Sequence, residues 1–372
     1  MTRLLALVTD GFGGRGGIAR YNCDFLSALA GAGWQITVVA RYAPDPQTPP
    51  PGITQYPSRA GRLSYALRVC FDVLRQRPQV VFCGHLFMAP LGFVAARLAG
   101  ARLVIQTHGI EAWQRPGALI GASFARAHLI LSVSRYTRAR VLSWARLAPE
   151  RVRVLPDTFD ASFAPAAADP QKNAALDGKK VLLTVGRLDR REAYKGHDRV
   201  IAALPALIAH GTDVHYLVAG EGDDRSRLEA LAFHHGVAER VRFVGAVSKE
   251  TLIELYRRAD LFVMPSTGEG FGIAFIEAMA CGTPALGLSV GGACDALGDG
   301  ELGIMVAPDE DLAARIAAQL RAPGLTGAPL SAAVGARFGP DQFAAQARLL
   351  LERLAAEDGH RAMGKIEGHG GR

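Results

Sequence analysis

Lysine is absent from the first 160 residues of this 372-residue chain. Those residues hold 19 arginines against 8 acids, a balance of +11, while the remainder holds 23 basic and 27 acidic residues, a balance of −4. A basic half beside an acidic half directs the first toward an anionic partner, a membrane surface, an anionic lipid or a nucleic acid; the partner expected is a membrane surface, with no nucleic acid. Cysteine is also scarce: five residues (Cys23, Cys70, Cys83, Cys281, Cys294) with no C-x-x-C and no histidine at ligand spacing. That excludes a disulfide framework and reads as free buried thiols in a reducing compartment. No long apolar run is unbroken. The uncharged stretch 80–96 is interrupted by Gly84, His85 and Pro90, so it reads as a strand at 79–83, a turn, and a helix opened by Pro90. The apolar run after Arg3 is too short for a signal peptide. The expected location is the cytoplasm, with peripheral attachment to the inner face of the cell membrane. The chain also lacks G-x-x-x-x-G-K-[ST], which excludes a P-loop.

What is present is a two-part α/β pattern. Nearly half the residues are hydrophobic, enough for two cores at this length. Short continuous apolar runs at 4–9, 35–40, 80–83, 103–107, 129–133 and 152–155 alternate with helical patterns such as 18–30 and 135–145. Buried strands alternating with helices indicate a parallel, doubly wound sheet. An Ala/Pro/Asp-rich linker at 161–179 breaks the rhythm. Strands at 181–185, 214–219, 241–244, 261–264 and 285–288 then restart it, with helices near 198–208, 224–234, 249–258, 273–280 and 309–320. The expected domains are 1–160 and 180–338. A C-terminal helix in 339–356 is expected to pack back on the first domain, and 357–372 reads as a mobile tail. Ligands of such sheets bind outside the strands' carboxyl ends, so the loops of two such domains are expected to face a central cleft.

Three stretches carry chemistry. The first is DGFGGRGGIARY at 10–21, in which Gly11, Gly13 and Gly16 have the G-x-G-x-x-G spacing between a strand and a helix. Such glycines let backbone N–H groups approach an anion. The dinucleotide fingerprint also needs an acid after the second strand, where this chain has Arg41, so an NADP enzyme stays open as an alternative. The second, STGEGFGIAFIEAMACGTP at 266–284, places Glu269 in a glycine-rich loop and Glu277 eight residues later. Glu269 suits sugar hydroxyls, and the N–H groups of Gly270, Phe271 and Gly272 suit an anion. Glu277 lies among apolar helix neighbours, where a carboxylate without a task is costly. The third, GRLDRREAYKGHD at 186–198, puts Arg187 and Lys195 at a strand's carboxyl end, where they can neutralise a diphosphate.

Together with Ala219-Gly-Glu-Gly222, these stretches resemble a family 4 glycosyltransferase (glycosyl transferases group 1) of the GT-B fold, two Rossmann-like domains facing a central cleft. The resemblance covers residues 5 to about 305. It implies retaining transfer of a sugar from a UDP- or GDP-linked donor to a saccharide or polyprenyl- or lipid-linked acceptor, without cofactor or metal. It also implies site roles. Arg187, Lys195, Gly16 and Gly17 would meet the donor diphosphate, and Glu277 the ribose. Glu269 and the backbone of Gly270, Phe271, Gly272 and Ile273 would hold the donor sugar and phosphate, and His108, in QTHG, would face the reacting sugar. Arg190 and Arg191 are rival phosphate contacts. The D-x-D at Asp309–Asp311 opens a helix and reads as a cap rather than a metal site. A non-catalytic sugar-nucleotide-binding protein is a further alternative.

Overall fold

The computed structural model describes residues 2–43, 47–166 and 178–366. It divides into two compact units: the chain up to Asp157 together with the chain from Pro340, and Thr158–Gly339. Residues 167–177 of the expected linker and 367–372 of the expected tail lie outside the described residues.

The first unit is built on a parallel sheet of β1 (Arg3–Asp10), β2 (Gln35–Tyr42), β3 (Ile53–Gln55), β4 (Val80–Cys83), β5 (Arg102–Thr107), β6 (Leu129–Ser132) and β7 (Val152–Val154). Their spatial order is β3-β2-β1-β4-β5-β6-β7, reversing direction at β1/β4 as doubly wound sheets do. The helices are α1 (Gly17–Gly31), α2 (Arg62–Gln76), α3 (Ala89–Ala99), α4 (Ala118–Phe124) and α5 (Arg135–Trp144). Leu5 and Leu7 of β1, Val81 of β4 and Ile105 of β5 form one core with Tyr65, Val69 and Val73 of α2 and Ala95 of α3. Pro90 sits in the first turn of α3, where its missing N–H costs nothing.

The second unit repeats the plan with β8 (Lys180–Val185), β9 (Val214–Ala219), β10 (Val241–Gly245), β11 (Leu261–Met264), β12 (Ala285–Leu288) and β13 (Ile304–Val306). The order is β10-β9-β8-β11-β12-β13, all parallel, with the reversal at β8/β11. Its helices are α6 (His197–Ala209), α7 (Arg225–His234), α8 (Lys249–Arg258), α9 (Ile273–Ala280), α10 (Ala293–Ala296), α11 (Leu312–Arg321) and α12 (Gly327–Phe338).

Some boundaries differ from the sequence reading. The sequence reading omits the edge strands β3 and β13, of three residues each; β3 has no apolar run, whereas Ile304-Met305-Val306 of β13 is apolar throughout. The last helix, α13 (Pro340–Ile366), begins where expected but continues past 356. The segment after 356 has no apolar period, yet it contains no proline, and extending a formed helix costs little. Phe343, Ala347, Leu351 and Leu354 are buried at helical spacing, and Phe343 meets Tyr21 of α1 edge to face at 5.6 Å. The C-terminal helix thus belongs to the first unit.

Candidate active site

In the second unit the chemistry-bearing residues gather at the carboxyl ends of β8 and β11, beside the reversal in strand order. After β8 the chain runs through Gly186 and Arg187 into a 3-10 segment, Arg190–Lys195, capped by Asp189, whose carboxylate accepts the Arg191 N–H at 2.8 Å. Lys195 folds back over Gly186, where a Cβ would lie 3.1 Å from the lysine Cδ. Gly196, at φ +79°, turns the chain into α6, and an added Cβ would meet the Pro265 carbonyl at 2.6 Å. That close approach brings the lysine loop against the loop that follows β11.

Lys195 Nζ donates to Glu269 Oε1 at 3.2 Å. It also lies 3.9 Å from Glu192 Oε2, and the other oxygen of Glu192 pairs with the Arg187 guanidinium. The result is a chain of alternating charge: Arg187, Glu192, Lys195, Glu269. Three members are largely enclosed, at 12 %, 15 % and 11 % side-chain exposure, while Arg187 is 75 % exposed. Tyr194 borders the cluster. Burial, followed by the nearby Glu269 and Glu192 carboxylates, pushes its phenol well above the ordinary value. The backbone N–H of Arg190 is bound to Asp223 and that of Arg191 to Asp189, which fixes both residues within the 3-10 loop.

The loop after β11 is shaped by glycines. Gly272, at φ +100°, caps α9, and the Phe271 ring is buried against Phe338, so residue 271 offers backbone rather than side chain. The N–H of Gly292 holds the Glu269 carbonyl at 2.8 Å, and a Cβ on Gly292 would fall 1.9 Å from the Gly270 carbonyl oxygen. The first N–H groups of a helix have no acceptor within it. Here they belong to Ile273 and its neighbours, giving a partial positive charge beside Glu269, whose Cγ lies 3.9 Å from where a Gly272 Cβ would sit.

Glu277, about one turn into α9, is buried, and its Oε2 accepts from the Tyr256 hydroxyl at 3.2 Å. Thr283 fastens the same stretch of α8 by donating to the Tyr256 carbonyl at 2.5 Å. The Ala219-Gly-Glu-Gly222 motif has a structural task. Added Cβ atoms on Gly220 and Gly222 would lie 1.8 and 2.1 Å from the carbonyls of Gly186 and Leu188, and Leu188 N–H donates to the Glu221 carbonyl at 2.8 Å. The two glycines let the end of β9 run directly beside the Arg187 loop. Beneath this loop His197 contacts the Tyr216 hydroxyl at 3.3 Å, and Tyr216 donates to Thr184 at 2.7 Å. Burial, then the Lys195 charge, lowers the His197 pKa to about 4.

In the first unit His108 follows β5. Its Nε2 lies 2.9 Å from the Gly84 carbonyl, an obligate acceptor, so Nε2 carries the proton and Nδ1 the lone pair. Its own N–H donates to Glu111 Oε1 at 2.5 Å, Tyr21 packs edge-on at 5.3 Å and His85 stacks at 6.0 Å. Burial is the main cause lowering its pKa to about 4; Glu111 and the Gly84 carbonyl oppose it, and His85 adds to the lowering. The imidazole is therefore neutral at pH 7.

The opening glycine loop is held by Gln55 of β3, which accepts from the Phe12 N–H at 2.9 Å and donates to the Phe12 carbonyl at 2.7 Å. A Cβ on Gly11 would strike that amide at 2.4 Å. Gly16, at φ +88°, caps α1, and Gly17 opens it. Arg41 donates to the Ala60 carbonyl at 3.0 Å and lies 5.3 Å from the centre of the Tyr42 ring. Asp311 caps α11 by accepting from Ala313 and Ala314, and Glu310 pairs with Arg315. Among the described residues no group of three His, Cys, Asp or Glu is placed to hold a metal ion.

Sequence reasoning named Arg187, Lys195, Glu269 and Glu277 but missed Glu192, Tyr256, His197 and Glu111. Glu192 carried a usable signal, three residues before Lys195 in a helical segment. Glu111 did too, three residues after His108, the spacing at which a glutamate reaches back to a turn's first N–H. Tyr256 and His197 carried none.

Comparison with known proteins shows the family and the fold. Residues 166–328 match the family described as glycosyl transferases group 1, and residues 15–163 match glycosyltransferase family 4. The chain is 30% identical to the GDP-mannose-dependent alpha-(1-6)-phosphatidylinositol monomannoside mannosyltransferase of Mycolicibacterium smegmatis, over 81% of this chain and 85% of that protein. It is 31% identical to the D-inositol 3-phosphate glycosyltransferase of Acidothermus cellulolyticus, over 81% and 76%. In fold it is similar to Anabaena Alr3699/HepE, solved in complex with UDP and glucose, at a TM-score of 0.77 and 20% identity, over 96% of this chain and all of that one.

Proposed function

Because the chain belongs to the family 4 glycosyltransferases, with their GT-B fold, we propose that it is a retaining enzyme moving a hexose from a UDP- or GDP-linked donor to a lipid-linked or saccharide acceptor. The observation that carries this reading is the Arg187–Glu192–Lys195–Glu269 cluster beside the N-terminus of α9.

The diphosphate develops negative charge as the bond from the sugar's C1 to its phosphate oxygen breaks. Lys195, Arg187 and the N–H groups of Gly270 to Ile273 would stabilise that charge with little rearrangement, the electrostatic term that often dominates rate enhancement. In this reading Glu269 orients the donor sugar while holding Lys195, and Glu277, steadied by Tyr256, takes the ribose hydroxyls. His108, neutral and protonated on Nε2, presents Nδ1 as acceptor to a sugar hydroxyl. Gly16 and Gly17 offer backbone N–H groups to phosphate. Attack from the leaving-group side joins the acceptor oxygen to C1 with configuration kept, and the departing phosphate oxygen takes the acceptor's proton. The cations serve in place of a metal ion.

A phosphatidylinositol monomannoside acceptor in the name of one relative and an inositol phosphate in another favour a polar acceptor held at or near a lipid. In this reading the enzyme works at a peripheral position on a membrane. Thermal-shift titration against UDP, GDP and their sugars tests the donor: stabilisation by one nucleoside diphosphate, abolished in Lys195→Ala, supports the reading, and no stabilisation by either contradicts it.

A further inference from the structure

A helix on the surface of a soluble domain buries one face and shows water a polar one. α2 does not. Tyr65, Val69 and Val73 face the core, yet on its other side Leu63, Leu67, Phe71 and Leu74 are 73, 62, 54 and 63 % exposed. Their spacings of four, four and three residues align them in one stripe opposite the buried face. α3 lies beside α2 on the same side of the sheet, and away from its buried Gly92, Ala95 and Ala96 it exposes Val94 and Leu98. Six large apolar side chains thus point outward from two adjacent helices. Among the described residues of the second unit only Phe233 and Leu325 are comparably exposed.

The charge around this face has one sign. Residues 57–102 contain seven arginines and a single acid, Asp72. Asp72 is fully buried and bound to Arg68 through both oxygens, so it contributes no negative charge to the surface. Arg62, Arg75 and Arg77 stand at the ends of the stripe, and Arg97 lies between Val94 and Leu98. An apolar stripe bordered by arginines suits the boundary between lipid headgroups and acyl chains: the leucines enter the chains, and the guanidinium groups reach anionic phosphates.

We propose that the outer face of α2 and α3 docks the first unit onto an anionic lipid bilayer, with Leu63, Leu67, Phe71 and Leu74 inserted. This deepens the reading of a lipid-held acceptor by naming the surface that meets the membrane. A second copy of the chain suits the face less well, because a two-fold interface would set like-charged arginines against each other.

The test is vesicle flotation of the full chain, which requires neither donor nor acceptor and so stands or falls apart from the transferase reading. The wild type should float with phosphatidylglycerol-containing vesicles and far less with pure phosphatidylcholine. L67S/F71S should lower partitioning by about tenfold or more, with the melting curve unchanged. R62Q/R75Q should weaken its salt dependence. The proposal is overturned if the wild type does not float, or if L67S/F71S floats equally well. It is also overturned if the lipid-free protein is a dimer that L67S/F71S dissociates.

Discussion

Lys195 Nζ and Glu269 Oε1 lie 3.2 Å apart, joining a loop that leaves β8 to one that leaves β11. The pair ties the cation meant for a diphosphate to the carboxylate meant for the sugar. Both side chains are mostly enclosed, so removing one strands the other. In a double-mutant cycle of Lys195→Met and Glu269→Gln, each single variant should lose stability. The double variant should lose less than their sum, with a coupling of about 1–3 kcal/mol by chemical denaturation.

Glu192 competes with the proposed ligand. It holds Arg187 and approaches Lys195, so a bound diphosphate has to displace it or share those cations with it. Glu192→Gln should therefore tighten nucleoside diphosphate binding several-fold, about 1 kcal/mol by calorimetry. Nucleoside affinity should stay the same. Weaker diphosphate binding would assign Glu192 the opposite role, that of aligning the two cations.

Gly292→Ala tests the loop rather than the charges. Its Cβ would meet the Gly270 carbonyl oxygen at 1.9 Å, a contact backbone can relieve only by moving. The expected result is a melting temperature lowered by an amount matching roughly 1–3 kcal/mol and a clear loss of donor affinity. Gly16→Ala, at positive φ but with nothing within 4 Å of its Cβ, should cost only the backbone strain of about 1 kcal/mol.

His197 gives a pH dependence of stability. Burial lowers its pKa to about 4, below the ordinary 6.5, so the unfolded chain takes up a proton at mildly acidic pH that the folded chain refuses. Its stabilisation is complete above the unfolded value. It declines as pH falls from about 6.5 to about 4, by up to roughly 3 kcal/mol, and is flat below. Denaturation midpoints of wild type and His197→Gln, followed from pH 7 to about pH 4.5, should converge on acidification if His197 is buried neutral. Parallel curves would contradict that.

The sheets were legible because parallel strands buried on both faces must be continuous apolar runs, and β4, β9, β11 and β12 have the limits their sequence suggests. β3 was not, since Ile53-Thr54-Gln55 has no apolar run and is fixed by pairing with β2, and the sequence reading passed over β13 although Ile304-Met305-Val306 is apolar. At the site, residue identities could be read but partners could not. The bonds of Glu277 to Tyr256 and of His197 to Tyr216 join residues about twenty apart that only the fold brings together. The glycines of Ala219–Gly222 show the converse. The pattern was visible, but its cause, the passage of β9 beside the 186–188 carbonyls, appears only in three dimensions.

The most direct test of the account is the rate of nucleoside diphosphate release from the sugar donor that stabilises the protein, measured with excess chelator in wild type and Lys195→Ala. The account predicts release by the wild type that the chelator leaves unchanged. It also predicts that Lys195→Ala, still folded by circular dichroism, slows release by about two to three orders of magnitude. A folded Lys195→Ala protein that turns over donor at the wild-type rate would contradict it.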